Sequence, residues 1–414
     1  MVKSIIYALS VLVQLFIIVL GMYYVLVALF SFIKKPEGKT IIKKMHKFAL
    51  IVAAHNEEKV IAGIVDSLQN LQYDKENYDV YVIADNCTDD TAKIAREHGA
   101  IACERTNTET RGKGYSLEWM FEKIFAMEDK EYDAICVFDA DNLVAPQFLT
   151  EINEKFNQGF RAVQGYVDVK NPNDSWITAS YAITFWCINK LFQTARSNLG
   201  LSNQINGTGF ALKCDLIKEN GWGATCLAED MEFTMKLVSN DIKVGWAPNA
   251  VVYDEKPLTL SQSFKQRTRW MQGHVDVASR FLIPLLKKTV KEKNIVAFDC
   301  AVYLVQPVLL ILTLLTTLIS FVQLFFPQVA TWCLSYLAVP TYVWNVTMIV
   351  QLVATPFVLF IENRLTKKML TYYLPYLLFT YTWLPIAVVG FAKRKNKEWF
   401  HTQHTRKIAI DEMK

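Results

Sequence analysis

The chain has 414 residues, 52% of them hydrophobic and 20% charged, with a net charge of +4 at pH 7. That length holds one catalytic domain of about 250 residues plus membrane segments, and the apolar content is high for a soluble enzyme. The small positive excess sits largely beside apolar segments, so a nucleic-acid partner finds no support. The eight cysteines form no C-x-x-C pair, which fits free thiols in a cytosolic domain better than disulfides or zinc.

Residues 5–32 run without a charge. A spanning helix needs roughly 20 apolar residues. The run is too long for the h-region of a signal peptide, and no small-residue cleavage site follows it. Lys34, Lys35, Lys39, Lys43, Lys44 and Lys47 come next, and positive flanks mark the cytoplasmic side. Residues 1–33 are therefore expected as a transmembrane helix with its N-terminus outside, and residues 34–295 inside.

Phe48–Ala54 (FALIVAA) reads as a buried strand, and residues 59–71 have helical spacing. Residues 78–84 (YDVYVIA) form a second buried strand, closed by Asp85-Asn86, with Thr88-Asp89-Asp90 placed to cap a helix from Thr91. Residues 101–104 suit a short strand, 114–127 a helix and 134–138 (AICVF) a strand ending at Asp139. Strands alternating with helices imply a mostly parallel sheet with helices on both faces. Ligands of such sheets bind outside the carboxyl ends of the strands, where Asn56, Asp85 and Asp139 stand.

Further on, Ala162–Val169 reads as a strand and 175–195 as an aromatic-rich helix. Residues 206–212 (NGTGFAL) read as a glycine turn entering a strand. Residues 275–286 are amphipathic and lysine-flanked, which suits the membrane interface or an ordinary surface helix. Three apolar stretches follow, 298–326, 329–361 and 370–391, the second interrupted by Pro340 and Pro356. Four crossings would put the tail outside, yet Lys393, Arg394, Lys395 and Lys397 argue for inside. Either one segment is re-entrant or the middle one does not cross simply. The expected division is 1–33, 34–275, an interfacial helix at 276–296, a membrane region at 297–392 and a basic cytosolic tail at 393–414.

The carboxylates suggest the chemistry. Asp139-Ala140-Asp141 at a strand end suits Mg²⁺ or Mn²⁺, hard cations that take oxygen ligands and bind with substrate phosphates. Asp85 can accept a hydrogen bond from a nucleobase or ribose, or merely cap a helix. One carboxylate of Glu229-Asp230 can serve as general base toward a sugar hydroxyl, or sit as a helix N-terminal charge. Gln266, Arg269 and Trp270 fall on one helical face. There the arginine can hold diphosphate oxygens and the tryptophan can offer a flat face to a sugar. Interfacial anchoring would place the same residues there. Arg111-Gly112-Lys113-Gly114 lacks the G-K-[ST] of a nucleotide-hydrolysing loop, though Lys113 can still reach a phosphate.

In that order, these motifs resemble those of the membrane-integrated family 2 glycosyltransferases, which include the bacterial cellulose, hyaluronan and poly-N-acetylglucosamine synthases. The resemblance covers residues 48–275, and the membrane segments more loosely. It implies an α/β GT-A (Rossmann-like) fold, a UDP-sugar donor, Mg²⁺ or Mn²⁺, and inversion at the anomeric carbon. By resemblance, Asp230 is the catalytic base with Glu229 beside it. Asn56, Glu57, Asp85, Lys113, Asp139 and Arg269 hold the donor, and Asp139 and Asp141 the metal. Trp270, Gln266, Gly207 and Thr208 face the acceptor, and Trp399 and Thr402 belong to a gating motif in the tail. Ala228 stands where the family has a threonine before Glu-Asp, and Asn206-Gly207-Thr208-Gly209 differs from the acceptor-side turn of several family members. No cyclic di-GMP-binding extension is expected within this chain.

The resemblance leads to a processive synthase in a bacterial plasma membrane. It would polymerise UDP-glucose into a cellulose-like or mixed-linkage β-glucan and pass the growing polysaccharide through the bilayer by its own channel. Poly-N-acetylglucosamine and hyaluronan synthesis, or single transfer to a lipid or glycan acceptor, are the alternatives. A transporter or scaffold with a degenerate domain is disfavoured by the intact acidic set. Nothing in the sequence sets the oligomeric state, and a monomer is compatible with it.

Overall fold

Strand β1 (Phe48–Ala54) packs two cores at once. Phe48, Leu50 and Val52 face one cluster, while Ala49 and Ile51 face the other. Alternate side chains of a strand point to opposite faces, so a continuous apolar run is what a strand covered on both sides requires. The computed structural model describes residues 2–33, 44–223, 226–326, 339–394, 406, 408 and 410–413.

In chain order, helix α1 (Val2–Leu29) precedes β1. Then come α2 (Ile61–Gln69), β2 (Tyr78–Asp85), α3 (Thr91–Glu97), β3 (Ile101–Arg105), α4 (Lys113–Phe125), β4 (Ala134–Asp139) and β5 (Leu143–Val144). The second half of the domain holds α5 (Phe148–Asn157), β6 (Ala162–Val169), α6 (Trp176–Cys187), a π-helical turn (Ile188–Thr194), α7 (Ala195–Leu199), β7 (Phe210–Lys213), α8 (Cys214–Asn220), α9 (Glu229–Ser239) and β8 (Val244–Asp254). Helices α2 and α5 cover one face of the sheet, α4, α8 and α9 the other.

The sheet runs β3-β2-β1-β4-β7-β6-β8-β5. Its β3-β2-β1-β4 half is parallel, as the alternation of strands and helices implies. The other half is mixed: β6 and β8 are parallel, but β7 is antiparallel to both β4 and β6, and β5 is antiparallel to β8. Residues 206–209 lie beside the carboxyl end of β4, with the Gly209 amide donating to the Val137 carbonyl at 2.9 Å. A strand that starts there can only run back.

The membrane-facing part begins with α10 (Leu260–Glu292), one helix of 33 residues that carries the Gln266–Trp270 pentad. The amphipathic segment 275–286 is its second half rather than a separate helix, and Pro284 lies inside it. Then follow α11 (Ile295–Leu304), α12 (Gln306–Phe325), α13 (Thr341–Ile361), α14 (Lys367–Tyr381) and α15 (Trp383–Ala392). Helices α1, α13 and α14–α15 are long and apolar enough to cross a membrane, and α11–α12 joins them as a pair bent by 54°. A fully buried ion pair ties this layer together. Arg196 of α7 donates to both oxygens of Asp299 in α11 at 2.8 and 2.9 Å, and the Tyr23 hydroxyl of α1 donates to the same carboxylate at 2.7 Å.

One face of α14 and α15 packs on α6 of the catalytic domain and on α10, with Ile311 of α12 joining at α15. Met369, Tyr372 and Tyr376 pack on α6, Phe379 packs on Ile177 and Tyr181, and Trp383, Ile386 and Ala387 pack around Met271 and Val275 of α10. These seven positions form one helical stripe. The start is tied to the domain and the end to α10: Lys368 donates to the Asn173 carbonyl at 3.2 Å, and Gln272 donates to the Lys393 carbonyl at 2.9 Å.

Candidate active site

The carboxyl ends of β1, β2, β4 and β8 bring the acidic groups to one edge of the sheet. Asp139 ends β4 and Asp141 follows it, and Asp254 closes β8. One carboxylate oxygen from each of these three lies within 4.8 Å of the other two. Oxygens around an octahedral Mg²⁺ at about 2.1 Å lie roughly 3.0–4.2 Å apart, so the set closes on such an ion with a small side-chain movement. An all-oxygen donor set is also the chemistry Mg²⁺ and Mn²⁺ prefer.

Asn142 organises this corner. Its amide nitrogen donates to Asp141 Oδ1 at 3.1 Å and to Asp254 Oδ1 at 2.9 Å, while its oxygen accepts from the Asp139 amide at 3.1 Å. Lys113 pairs with Asp139 and donates to the Gly207 carbonyl at 2.7 Å. Burial alone would lower the Lys113 pKa, but Asp139, Glu229 and Asp230 outweigh it and hold the ammonium protonated. Lys256 pairs with Asp254, and Lys170 donates to the Asp141 carbonyl at 3.0 Å.

Asp230 stands in the first turn of α9, its Oδ1 accepting from the Met231 amide at 2.7 Å. Desolvation and the neighbouring Glu229 charge push its pKa up to about 7, against the pull of Lys113 and Arg269. A carboxylate tuned toward neutrality can take a proton at working pH. Gly207 has φ 78°, and a Cβ there would lie 3.4 Å from Asp230 Oδ2. The backbone turn so approaches the base closely, where a side chain would be strained.

The aromatic side of the site is built on Tyr181. Its hydroxyl donates to Gln266 Oε1 at 3.0 Å, and its ring meets Trp270 edge-on, 6.0 Å between centroids and 88° between planes. Arg267, the other arginine of the pentad, is fully buried. Its Nε donates to Ser263 Oγ at 3.0 Å, and its guanidinium lies 3.9 Å over the Phe379 ring. Burial lowers its pKa to about 10. Arg269 is half-buried and makes no ion pair among the described residues.

The sequence-derived residues do not all do what their positions suggest. Asp85 is held by Arg105, its directly paired neighbour on β3, at 2.6 Å. Burial raises its pKa, and Arg105 offsets part of that. Asn56 has φ 56° and accepts from the Thr88 amide at 2.8 Å, while the Glu57 amide donates to Thr91 Oγ1 at 2.8 Å. These contacts lace the end of β1 to the loop after β2. Thr208 is 2% exposed. Its hydroxyl bonds Asn142 and accepts from the Asp139 amide at 3.2 Å, so it pins the metal-side turn instead of facing an acceptor. Trp399 and Thr402 lie outside the described residues. The nearby Arg406 meets the domain, its amide donating to both Glu255 carboxylate oxygens at 3.3 Å and its guanidinium pairing with Asp174 at 3.3 Å. Sequence reading missed Arg105, Asn142, Asp254 and Lys256.

This fold, a mixed α/β sheet with an acidic edge at the strands' carboxyl ends, is of the GT-A type. Residues 46–273 match the family described as "Glycosyltransferase like family 2", and the chain belongs to it. It is 30% identical over 272 residues to "Probable glycosyltransferase YdaM" of Bacillus subtilis (strain 168), covering 64% of this chain and 63% of that one. It is 30% identical over 238 residues to a beta-monoglucosyldiacylglycerol synthase of Nostoc sp. (54% and 48% covered). It is 26% identical over 269 residues to a poly-beta-1,6-N-acetyl-D-glucosamine synthase of Staphylococcus aureus (strain COL), with 62% and 61% covered. The chain thus spans less than two thirds of the length of each of these relatives. The structure of the mannosyltransferase PcManGT from Pyrobaculum calidifontis, in complex with GDP-Man and Mn²⁺, aligns over 94% of this chain and 99% of that one, with a TM-score of 0.61 at 16% identity. That likeness concerns the fold.

Proposed function

We propose that this chain is an inverting, metal-dependent hexosyltransferase of the bacterial plasma membrane. It takes a UDP-sugar at the cytoplasmic face and lengthens a β-linked polymer of the poly-N-acetylglucosamine type. One observation carries the reading: a base tuned toward neutrality, Asp230, lies within electrostatic reach of Arg269, whose neighbour Trp270 leans on Tyr181. Asp230 takes the proton of the acceptor hydroxyl. The hydroxyl oxygen attacks the anomeric carbon from the face opposite UDP, and the bond to the β-phosphate oxygen breaks with its electrons going to UDP. Lys113 and Arg269 face the leaving diphosphate, and a divalent cation bound at Asp139 and Asp141 supplies further charge neutralisation there.

The polymer-forming relative described above is a poly-N-acetylglucosamine synthase. The relative named for glucosyl transfer acts on a lipid, and the polymer-forming one is named for N-acetylglucosamine, so the polymer reading takes that sugar in place of the glucose first expected. The contacts of α14–α15 support a topology of three crossings, by α1, α11–α12 and α13, with α14–α15 lying in the membrane interface. The basic tail then lies on the cytoplasmic side, a placement supported by its charge and by the Arg406–Glu255 contact.

A second reading, transfer of one sugar to a lipid, is favoured by the relative named as a beta-monoglucosyldiacylglycerol synthase and by the apolar stripe of Leu370, Leu374 and Leu378 on the outer face of α14, 57–70% exposed. Incubating the purified chain with single UDP-sugars and Mn²⁺ separates the two. UDP release with a product cut by a β-1,6-N-acetylglucosaminidase supports the first. A glucosylated lipid with no long chain supports the second.

A further inference from the structure

We infer that Arg267 sets the direction of a hydrogen-bond chain, Arg267–Ser263–Tyr181–Gln266, so that Gln266 presents an N–H donor beside Trp270 and favours an acceptor sugar with an oxygen there. This rests on the acceptor role proposed for Gln266 and Trp270. Arg267 Nε donates to Ser263 Oγ at 3.0 Å, Ser263 Oγ lies 3.0 Å from the Tyr181 hydroxyl, and that hydroxyl lies 3.0 Å from Gln266 Oε1. A guanidinium can only donate. The Ser263 hydroxyl accepts from it and turns its own proton to Tyr181, and Tyr181 turns its proton to Gln266. The amide oxygen of Gln266 is therefore held by Tyr181. Its Nε2 has no partner among the described residues and is left to a ligand, on the helical face shared with Trp270.

As a strut for the fold, Arg267 would be a costly choice. It is fully buried, no carboxylate pairs with it among the described residues, and its Nη2 has no hydrogen-bond partner there. Buried charge without a counter-charge is unfavourable. The Phe379 and Trp383 rings, with centroids 3.9 and 5.1 Å from the guanidinium, offset only part of that. Its other contacts are redundant. The Phe379 carbonyl accepts from Arg267 Nη1 at 3.4 Å, but also from the Thr382 amide at 3.1 Å and the Thr382 hydroxyl at 2.5 Å. Ser263 keeps Tyr181 as a partner without Arg267. What the guanidinium alone supplies is direction: without it Ser263 and Tyr181 can each donate to the other, and the Gln266 amide is free to turn over.

The test compares Arg267→Met, Ser263→Ala and Gln266→Glu in the purified full chain. Donor and acceptor KM are read from UDP release with UDP-N-acetylglucosamine, Mn²⁺ and a β-1,6-linked N-acetylglucosamine oligosaccharide, beside the melting midpoint. Arg267→Met is expected to melt at or above the unaltered chain, because it removes an uncompensated buried charge and leaves no partner unpaired. It should nevertheless raise the oligosaccharide KM about three- to tenfold, the worth of one hydrogen bond, with the donor KM unchanged. Ser263→Ala should raise the oligosaccharide KM similarly. Gln266→Glu keeps the oxygen toward Tyr181 and loses the donor, so it should raise that KM at least as much. An unchanged oligosaccharide KM in Arg267→Met would overturn the inference, as would Gln266→Glu behaving like the unaltered chain. A lower melting midpoint with both KM values raised would make Arg267 a structural strut instead. A double-mutant cycle of Arg267→Met and Tyr181→Phe, read on the melting midpoint, tests the chain without turnover: non-additive effects support it and additive effects overturn it. If the unaltered protein does not extend the oligosaccharide, the polymer reading falls, and that cycle decides the inference.

Discussion

Gly273, on the turn of α10 after Trp270, lies directly against Ala228, the residue before Glu229-Asp230. A Cβ on Gly273 would stand 2.5 Å from the Ala228 Cβ and 2.7 Å from its amide nitrogen. The contact fixes the distance between the helix that carries the pentad and the turn that carries the base. It also gives a physical reason for alanine, where the family has threonine: a larger side chain at 228 would meet the α10 backbone.

Gly273→Ala should therefore separate α10 from the base. Overpacking of this kind typically costs about 1–3 kcal/mol. We expect a lower thermal midpoint and a fall in kcat, with UDP binding less affected. Ala228→Gly should not restore the double variant, because the amide nitrogen remains in the way. Full rescue would show that the clash is with the side chain alone.

The Asp230 shift sets the pH dependence. The base must be ionised to accept a proton, so kcat/KM should rise with pH along a limb centred near 7. Glu229→Gln removes a like charge and should move that limb to lower pH. An unmoved limb would detach the limb from Asp230. The same shift has a stability consequence. The folded pKa lies above the unfolded value of about 3.9, so the native chain holds a proton the unfolded chain has released, and stability falls as pH rises from about 4 to about 7. Asp230→Asn should thus raise the melting temperature at pH 8 while abolishing transfer.

Trp270→Ala should raise the acceptor KM or lower elongation about tenfold or more. The edge-on contact with Tyr181 is worth about 0.5–1.5 kcal/mol, and the acceptor face is lost with it. UDP affinity, measured by calorimetry, should change little. An equal loss of UDP affinity would move Trp270 to the donor side.

How far the sequence reaches is visible in two strands. Strand β4 is an unbroken apolar run, so Asp139 at its end could be recognised by position alone. Strand β8 ends the same way, in Val251-Val252-Tyr253-Asp254, yet Asp254 was missed. Pro248 and Asn249 interrupt the pattern, and the pairing with β6 slips between Gly165 and Tyr166 to accommodate them. The direction of β7 was illegible for another reason: it depends on where residues 206–209 sit in space. Helices α14 and α15 are apolar on both faces, one toward α6 and α10 and one exposed, so by hydropathy alone they read as an ordinary span.

That last point is testable by cysteine labelling in intact cells. With α14–α15 in the interface, Arg364→Cys and Lys393→Cys should both resist a membrane-impermeant maleimide and react only after permeabilisation. Labelling of Lys393→Cys from outside would make the pair a true crossing.

The most direct test of the account is the anomeric configuration of the first linkage formed from an α-linked UDP-sugar, read by proton NMR of the product. A single base, Asp230, acting opposite the departing diphosphate predicts a β-linkage. An α-linked product would mean retention, and would contradict the role given to Asp230.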